Sequence, residues 1–328
     1  MDSKFALLQP INLRIEIAAS ETLLEAGLRV GLGLNYGCSN GNCGLCKARV
    51  ISGAVSKLRH HDYVFSETEK LQNYVLMCSC GAATDLEFEA AIASHAHEIQ
   101  LHDIPGRVHA LKTLNSDVML LHVQTPRSNR LRFLAGQSVA LSVGDDANAY
   151  PISSCPCDDR NLHFHINRDD SNALARRVFE SLRVGETINI YGPVGDFVLR
   201  QTSTRPVLLL ACDKGFAPIK SLAEHAMSLE RAPAIYLYWF SKTQDGHYFA
   251  NACRAWADAF DVFHFREIVV AGGADAEREK MLGEVLAQHP SIADFDIYVA
   301  GPAPFTTRVR EKLLQAGVQQ QHLMCVTV

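Results

Sequence analysis

The chain has little that would take it out of water. In 328 residues the longest clean apolar stretch is the handful from Val207 to Cys212, far short of the ~20 residues a membrane-spanning helix needs. Asp2 and Lys4 precede no signal-like apolar core, so no membrane role is expected and a cytoplasmic location follows as the default. Positive charge is not in excess either. Lys and Arg number 31 against 36 Asp and Glu, for a formal charge of −5, which argues against nucleic acid as a direct ligand. No internal repeat or low-complexity tract stands out, which excludes repeat arrays. What remains is ordinary soluble composition, long enough for two or three domains at roughly 100 to 200 residues each.

Cysteine, by contrast, is plentiful and uneven. Five of the ten cysteines fall between Cys38 and Cys80, and in a chain without export signals that favours metal ligation over a disulfide framework.

The texture changes twice along the chain. Over 1–95, Ile11, Leu13, Ile15 and Ile17 alternate with polar or small neighbours as in a half-buried strand, and Leu86, Phe88 and Ala90 form a second such run. Between them Ser20 stands ready to cap a short helix through Leu23, Leu24 and Leu28, which Gly27, Gly31 and Gly33 break up. Over 100–203 the pattern predicts short strands at Gly106 to Leu111, Val118 to Val123, Ser138 to Val143, Leu162 to Ile166 and Thr187 to Tyr191. One helix is expected from Ala173 to Leu182, and the set fits an antiparallel barrel. Over 204–328, strand-like runs at Val207, Ile235, Val262, Phe295 and Leu323 alternate with helical segments, which implies βαβ units and a mainly parallel sheet.

The cysteine loop carries the sharpest signal. Cys38, Cys43 and Cys46 are spaced by four and then two residues, and Cys78 follows. That is the plant-type spacing for four thiolates around a [2Fe–2S] cluster. Gly37, Gly41 and Gly44 let the backbone wrap closely and turn N–H groups toward sulfur. A structural zinc site would need a second CxxC-like pair or histidine partners, and none follows. Cys80 reads as a bystander thiol. Cys155-Pro156-Cys157 reads as two loop thiols without a partner role rather than a redox pair, because nothing nearby in sequence would lower their pKa. His60, His61, His95, His97, His163 and His165 make no ligand set and read as surface or core histidines.

The cluster loop, followed by a barrel and a βαβ region, resembles the oxygenase reductase components of the ferredoxin-NADP⁺-reductase superfamily with an N-terminal plant-type ferredoxin domain. That resemblance implies a multidomain α/β and α+β protein: a β-grasp [2Fe–2S] domain (1–95), an antiparallel barrel for FAD (100–203) and a parallel-sheet NAD(P)-binding-like domain (204–328). In that family NADH reduces FAD, which reduces the cluster.

The flavin motif is only partly matched. The family's Arg-x-Tyr-Ser falls on Asn148, Ala149, Tyr150 and Pro151, so only the Tyr that would pack on the isoalloxazine is kept. Asn148 loses a charge-assisted phosphate contact worth about 1.5 to 3 kcal/mol. Pro151 carries no hydroxyl, and a shifted register would put Ser153 near N5 instead. The preferred alignment also matches Ile152. Ile166, Arg168, Ser171 and Asn172, between a strand and a helix N-terminus, resemble the family's second phosphate contact, with a capped surface helix and a solvated Arg as the plain alternative.

The nicotinamide motif departs further. The family's Ala-Gly-Gly-Thr-Gly-Ile-Ala-Pro turn falls on 211–218, where Cys212 and Asp213 replace glycines and only Gly215 remains. Ala300 stands at the family's thiol position before Gly301-Pro302, and Met324 to Val328 lack the acidic and aromatic ending. Lys242 remains available to a 2′-phosphate. Two function classes follow from the resemblance. One is an iron–sulfur flavoprotein with impaired NAD(P)H oxidation and a redox-sensing role, working through a ferredoxin and a transcription regulator in aromatic-hydrocarbon catabolism. The other is an active NAD(P)H-dependent reductase feeding an oxygenase.

Overall fold

A computed structural model describes residues 3–93, 96–200, 203–270 and 275–328; His95 lies outside them. The amino-terminal unit is a mixed sheet gripped by one helix. Strands β1 (Lys4–Gln9) and β2 (Leu13–Ile17) form a hairpin, and α1 (Leu23–Arg29) packs on β2. Then come β3 (Lys47–Ser52), β4 (Val55–Lys57), α2 (Glu67–Leu71), β5 (Tyr74–Leu76), β6 (Cys80–Ala82) and β7 (Leu86–Ala90). The order is β2-β1-β7-β3-β5, with β1 and β7 parallel, and β4 and β6 pair separately. Alternation works as expected for Ile15 and Ile17, which are buried, but Ile11 sits exposed ahead of β2. The cap is Thr22 rather than Ser20. Its hydroxyl accepts the Glu25 N–H while the Glu25 carboxylate accepts the Thr22 N–H, a reciprocal box that Ser20 is too far upstream to close.

The middle unit is the antiparallel barrel. Its strands are β8 (His102–Thr113), β9 (Val118–Gln124), β10 (Ser138–Val143), β11 (Asp146–Pro151), β12 (Asn161–Asn167) and β13 (Thr187–Val194). They follow the order β11-β10-β13-β8-β9-β12, and the sheet curls until β11 and β12 touch. Helix α3 (Ala173–Glu180) buries Leu174 and Val178 against that core, and Leu182 follows beyond its end. Each such side chain contributes about 1.5–3 kcal/mol. β11 was not expected, because its sequence, Asp-Ala-Asn-Ala-Tyr-Pro, lacks branched residues. It is an edge strand held by its hairpin with β10, largely in solvent.

The carboxyl-terminal unit has five strands, β14 (Val207–Cys212), β15 (Ile235–Ser241), β16 (Phe263–Val269), β17 (Asp296–Gly301) and β18 (Leu323–Thr327). They pair in parallel in the order β16-β15-β14-β17-β18. Helices α4 (Phe216–Leu229), α5 (Ala250–Ala259), α6 (Asp275–Ala287) and α7 (Ala303–Gln315) connect them. β14 and β17 are buried throughout, as central strands covered on both faces must be.

Polar side chains join the three units. Arg132 of the barrel is buried and donates to the Gly33 carbonyl and to Asn35 Oδ1 (3.0 Å) of the first unit. Arg231 donates to the Val30 carbonyl at 3.1 Å, and Asn115 to the Asp245 carbonyl at 2.9 Å. Among the described residues no helix is long and apolar enough to cross a membrane.

Candidate functional site

The loop between α1 and β3 supplies Cys38, Cys43 and Cys46, the turn between β5 and β6 supplies Cys78, and the four candidate ligands meet in two pairs. Cys46 Sγ and Cys78 Sγ lie 3.2 Å apart. The Cys38 and Cys43 sulfurs face one another's backbones: Asn42 and Cys43 N–H groups donate to Cys38 Sγ at 3.3 Å, and Cys38 N–H donates to Cys43 Sγ at 3.4 Å. Gly41 holds a left-handed φ of 84°, and a Cβ there would meet the His61 backbone at 2.8 Å. This tight wrap aims the N–H groups. Burial pushes the Cys38 thiol up, but the N–H donors outweigh it and leave the group below its usual range. Hydrogen bonding between the buried Cys46 and Cys78 holds Cys78 down to about 6. Four convergent sulfurs with backbone donors, Cys38 and Cys78 held below the usual thiol range, fit a two-iron cluster. Cys80 starts β6 opposite Lys57, and burial raises its thiol.

The flavin candidates divide. Tyr150, at the end of β11, is nearly buried, and its hydroxyl accepts from Asn172 Nδ2 at 3.0 Å. Asn172 also caps α3, its Oδ1 accepting the Ala175 N–H at 3.0 Å. One residue thus ties the Tyr to the helix N-terminus, whose remaining first-turn N–H groups have no intrahelical partner. Arg168 is exposed, lies over the Phe179 ring at 4.3 Å, donates from Nε to the Ser116 carbonyl at 3.4 Å and makes no ion pair among the described residues. It is therefore available to an anion. Ser171 instead donates its hydroxyl to Asp169 at 2.6 Å. Ile152 and Ile166 belong to the barrel core. Ser153 is fully buried, with its hydroxyl on the His163 carbonyl at 3.0 Å, so its proton is already committed. Pro151 closes β11 opposite Ser138. A phenol held at a helix N-terminus and an exposed guanidinium with no carboxylate partner among the described residues fit the two chemistries of FAD, aromatic ring and pyrophosphate.

The turn after β14 is unusual. Asp213, at one of the family's glycine positions, holds φ at +50°, a left-handed conformation that glycine adopts freely and an L-residue with strain. Gly215 has an ordinary φ, but a Cβ there would meet the Ala300 carbonyl oxygen at 2.1 Å. Packing against the end of β17 thus requires glycine at 215. Cys212 is buried, and burial with the Asp213 charge pushes its thiol up to about 12. Phe216, where the family carries Ile, stacks on Trp239 with centroids 3.8 Å apart and lies near His165, Tyr248 and Phe249. This aromatic cluster fills the seam between the barrel and the parallel sheet.

Sequence reading overlooked the inner face of α4. Lys220 is buried, donating to the Ser153 carbonyl (3.0 Å) and to Glu224 (2.6 Å), while Ser221 donates to the Ser154 carbonyl at 2.7 Å. The Lys-Glu pair at i, i+4 was the readable signal. Cys155 and Cys157 are bonded to one another, and His225 of α4 faces both sulfurs. They are not the partnerless loop thiols that local sequence suggested.

Comparisons with known proteins follow this order of units. The chain matches the 2Fe-2S iron-sulfur cluster binding domain over residues 7–83, the oxidoreductase FAD-binding domain over 105–199 and the oxidoreductase NAD-binding domain over 209–311. It is 27% identical over 323 residues to the naphthalene 1,2-dioxygenase system ferredoxin–NAD(P)(+) reductase component of Pseudomonas putida, covering 97% of this chain and 96% of that protein. It is 24% identical over 318 residues to the CDP-6-deoxy-L-threo-D-glycero-4-hexulose-3-dehydrase reductase of Yersinia pestis, covering 95% and 94%. The Amycolatopsis cytochrome P450 reductase GcoB shares the fold with a TM-score of 0.62 at 22% identity over 99% of each chain. Three units in this order, with a four-thiol loop in the first, make the chain a member of the ferredoxin-NADP⁺-reductase family that carries an N-terminal [2Fe–2S] domain and binds FAD.

Proposed function

We propose that this protein passes electrons between a [2Fe–2S] cluster and FAD, that its oxidation of NAD(P)H is impaired, and that it serves as a redox sensor. Its electron partner is a ferredoxin, and it reports to a transcription regulator. The carrying observation is Asp213 at φ +50° in the turn after β14. The turn keeps the glycine-like conformation but places a carboxylate where a pyrophosphate would approach. When bound, the cluster carries single electrons and the flavin one or two.

In this reading 1–95, 100–203 and 204–328 act as the cluster, flavin and nucleotide-type domains. Cys38, Cys43, Cys46 and Cys78 hold the irons. Tyr150, with Pro151, Ile152 and Ser153 behind it, shapes the flavin face, while Arg168, Ser171 and Asn172, following Ile166, form the phosphate end. Gly215 sets the turn against β17. The ferredoxin partner is supported by likeness to a ferredoxin–NAD(P)(+) reductase component. The test is anaerobic mixing with a reduced [2Fe–2S] ferredoxin while flavin absorbance is followed. Bleaching at equimolar ferredoxin is expected, and no bleaching would overturn the partner assignment.

A second reading, an active NAD(P)H-dependent oxygenase reductase, is favoured by the match of residues 209–311 to the NAD-binding domain and by relatives named as reductase components.

A further inference from the structure

Cys155 and Cys157 stand at the junction of the three units, outside every site assigned above. The segment from Ser153 to Asp159 leaves β11, runs along α4 and is tied to it at successive backbone positions. Lys220 Nζ donates to the Ser153 carbonyl, Ser221 Oγ to the Ser154 carbonyl, and the Cys155 N–H donates to Glu224 Oε2 at 3.1 Å. Beyond the pair, the buried Asp159 accepts from Arg130 at 3.0 Å. These anchors hold the two Cα atoms 5.1 Å apart, inside the range a disulfide needs. They do not depend on the S–S bond. The same backbone therefore serves the bonded and the open state, and an opened pair is held ready to reclose.

The two sulfurs are unequal. Cys157 is exposed, whereas Cys155 is half-buried and its Sγ accepts the Cys157 N–H at 3.2 Å. A backbone N–H stabilises a thiolate and so makes Cys155 the better leaving group. The surroundings also provide for protonated thiols. The hydroxyl proton of Ser228 goes to the His225 carbonyl at 2.8 Å, so at 3.3 Å it offers Cys157 Sγ a lone pair that only an S–H can use. His225 Nδ1 lies 3.6 Å from Cys155 Sγ and 3.7 Å from Cys157 Sγ, and its ring is buried.

We propose that Cys155 and Cys157 form a thiol–disulfide exchange site that opens by attack of a small cellular thiol on Cys157. The attacking thiolate forms a bond to Cys157 Sγ as the bond to Cys155 breaks. The electron pair leaves on Cys155, which takes a proton. A second thiol then attacks the incoming sulfur of the mixed disulfide and frees Cys157. Two thiols are oxidised to their disulfide and one protein disulfide is reduced to two thiols, with two electrons and two protons transferred. The site faces the iron–sulfur end of the molecule: Cys157, Pro156 and Ser228 line a cavity together with Tyr36, Ser39 and Cys78. This inference does not depend on whether NAD(P)H is oxidised.

The test equilibrates the cofactor-loaded protein anaerobically in glutathione buffers of graded ratio, quenches in acid, alkylates free thiols and analyses peptides by mass spectrometry. The peptide spanning 155–157 should gain two alkyl groups in one transition as the buffer becomes reducing. In air-oxidised protein it should gain none. With oxidised glutathione, Cys157 of Cys155→Ser should form its adduct at least tenfold faster than Cys155 of Cys157→Ser, in variants that keep their flavin and cluster absorbance. Full alkylation of the pair in air-oxidised protein would overturn the proposal, as would a pair that stays closed in excess reduced glutathione or a reversed order of adduct rates. So would stoichiometric zinc in the isolated protein, because the same two sulfurs and His225 Nδ1 lie within 4.8 Å of one another and would then be a metal site. The wild-type titration decides the matter even if a variant fails to fold.

Discussion

Replacing Asp213 with glycine should help this protein in two separable ways. The first is conformational. At φ +50° an L-residue is disfavoured by roughly 1–2 kcal/mol, less for aspartate, while glycine adds back about 0.4–1 kcal/mol through the freer unfolded chain. Asp213→Gly should therefore leave stability within about 1 kcal/mol of the parent in urea unfolding. The second is electrostatic. A carboxylate about 4 Å from a pyrophosphate charge costs about 4 kcal/mol at an effective dielectric near 20. The neighbouring exposed Lys214 and the partial exposure of Asp213 reduce that figure. At about 1.4 kcal/mol per decade, one to two orders of magnitude tighter NAD(P)H binding is the expected gain, read from flavin bleaching against nucleotide concentration. Cys212→Gly should behave differently. Cys212 is buried and its Cβ is part of the surface against which Gly301 packs, so deleting the side chain should cost ~1–2 kcal/mol as a cavity. Unchanged nucleotide response in Asp213→Gly, with flavin and cluster spectra intact, would refute the carboxylate as the cause. A loss of more than about 2 kcal/mol would refute the strain assignment.

Other consequences can be checked one residue at a time. Cys46→Ser should abolish the cluster's visible absorbance and its electron paramagnetic resonance signal while flavin absorbance persists. Gly215→Ala should destabilise the fold by about 1–3 kcal/mol in urea melts, because its Cβ would meet the Ala300 carbonyl oxygen at 2.1 Å, and the loss should be the same with or without nucleotide. Asn172→Ala should lose about 1 kcal/mol with the α3 cap and should also weaken flavin retention through Tyr150, whereas Asn172→Ser should recover the cap and not the flavin. Burial holds His225 and His163 down to about 4, helped by the Arg231 charge for the former and by Lys220 and His122 for the latter, against a smaller opposing pull from Asp158. Both stay neutral in the folded chain while the unfolded chain takes up protons below about 6.5. Stability should thus be unaffected above that pH and fall between roughly 6.5 and 4, by up to about 1.4 kcal/mol per unit for each histidine. His163→Gln should flatten the profile in a pH series of urea melts.

The cluster loop was legible because its chemistry dictates spacing. Four thiolates and a close backbone leave few ways to write Cys38 to Cys46, and the loop folds with donors on sulfur as that spacing implies. Helix α3 was legible because Leu174, Val178 and Leu182 mark one buried face. β11 escaped because an edge strand in solvent needs no apolar alternation. Gly215 shows a subtler limit: a glycine that serves a nucleotide and one that packs on a neighbouring strand look identical in sequence, so its contact with Ala300 could not be read there. The Cys155–Cys157 pair was hidden for a related reason. What faces its sulfurs comes from His225 and Ser228 of α4, about seventy positions away, so no local pattern could announce it.

Impaired NAD(P)H oxidation with competent redox centres is tested most directly by anaerobic titration of the purified protein with NADH and NADPH while flavin and cluster absorbance are followed. Photochemical reduction of a matched sample is the control. The expected result is bleaching of both centres in the control and little or none with either nucleotide. Rapid bleaching by stoichiometric NADH or NADPH would contradict it and establish a working reductase despite Asp213.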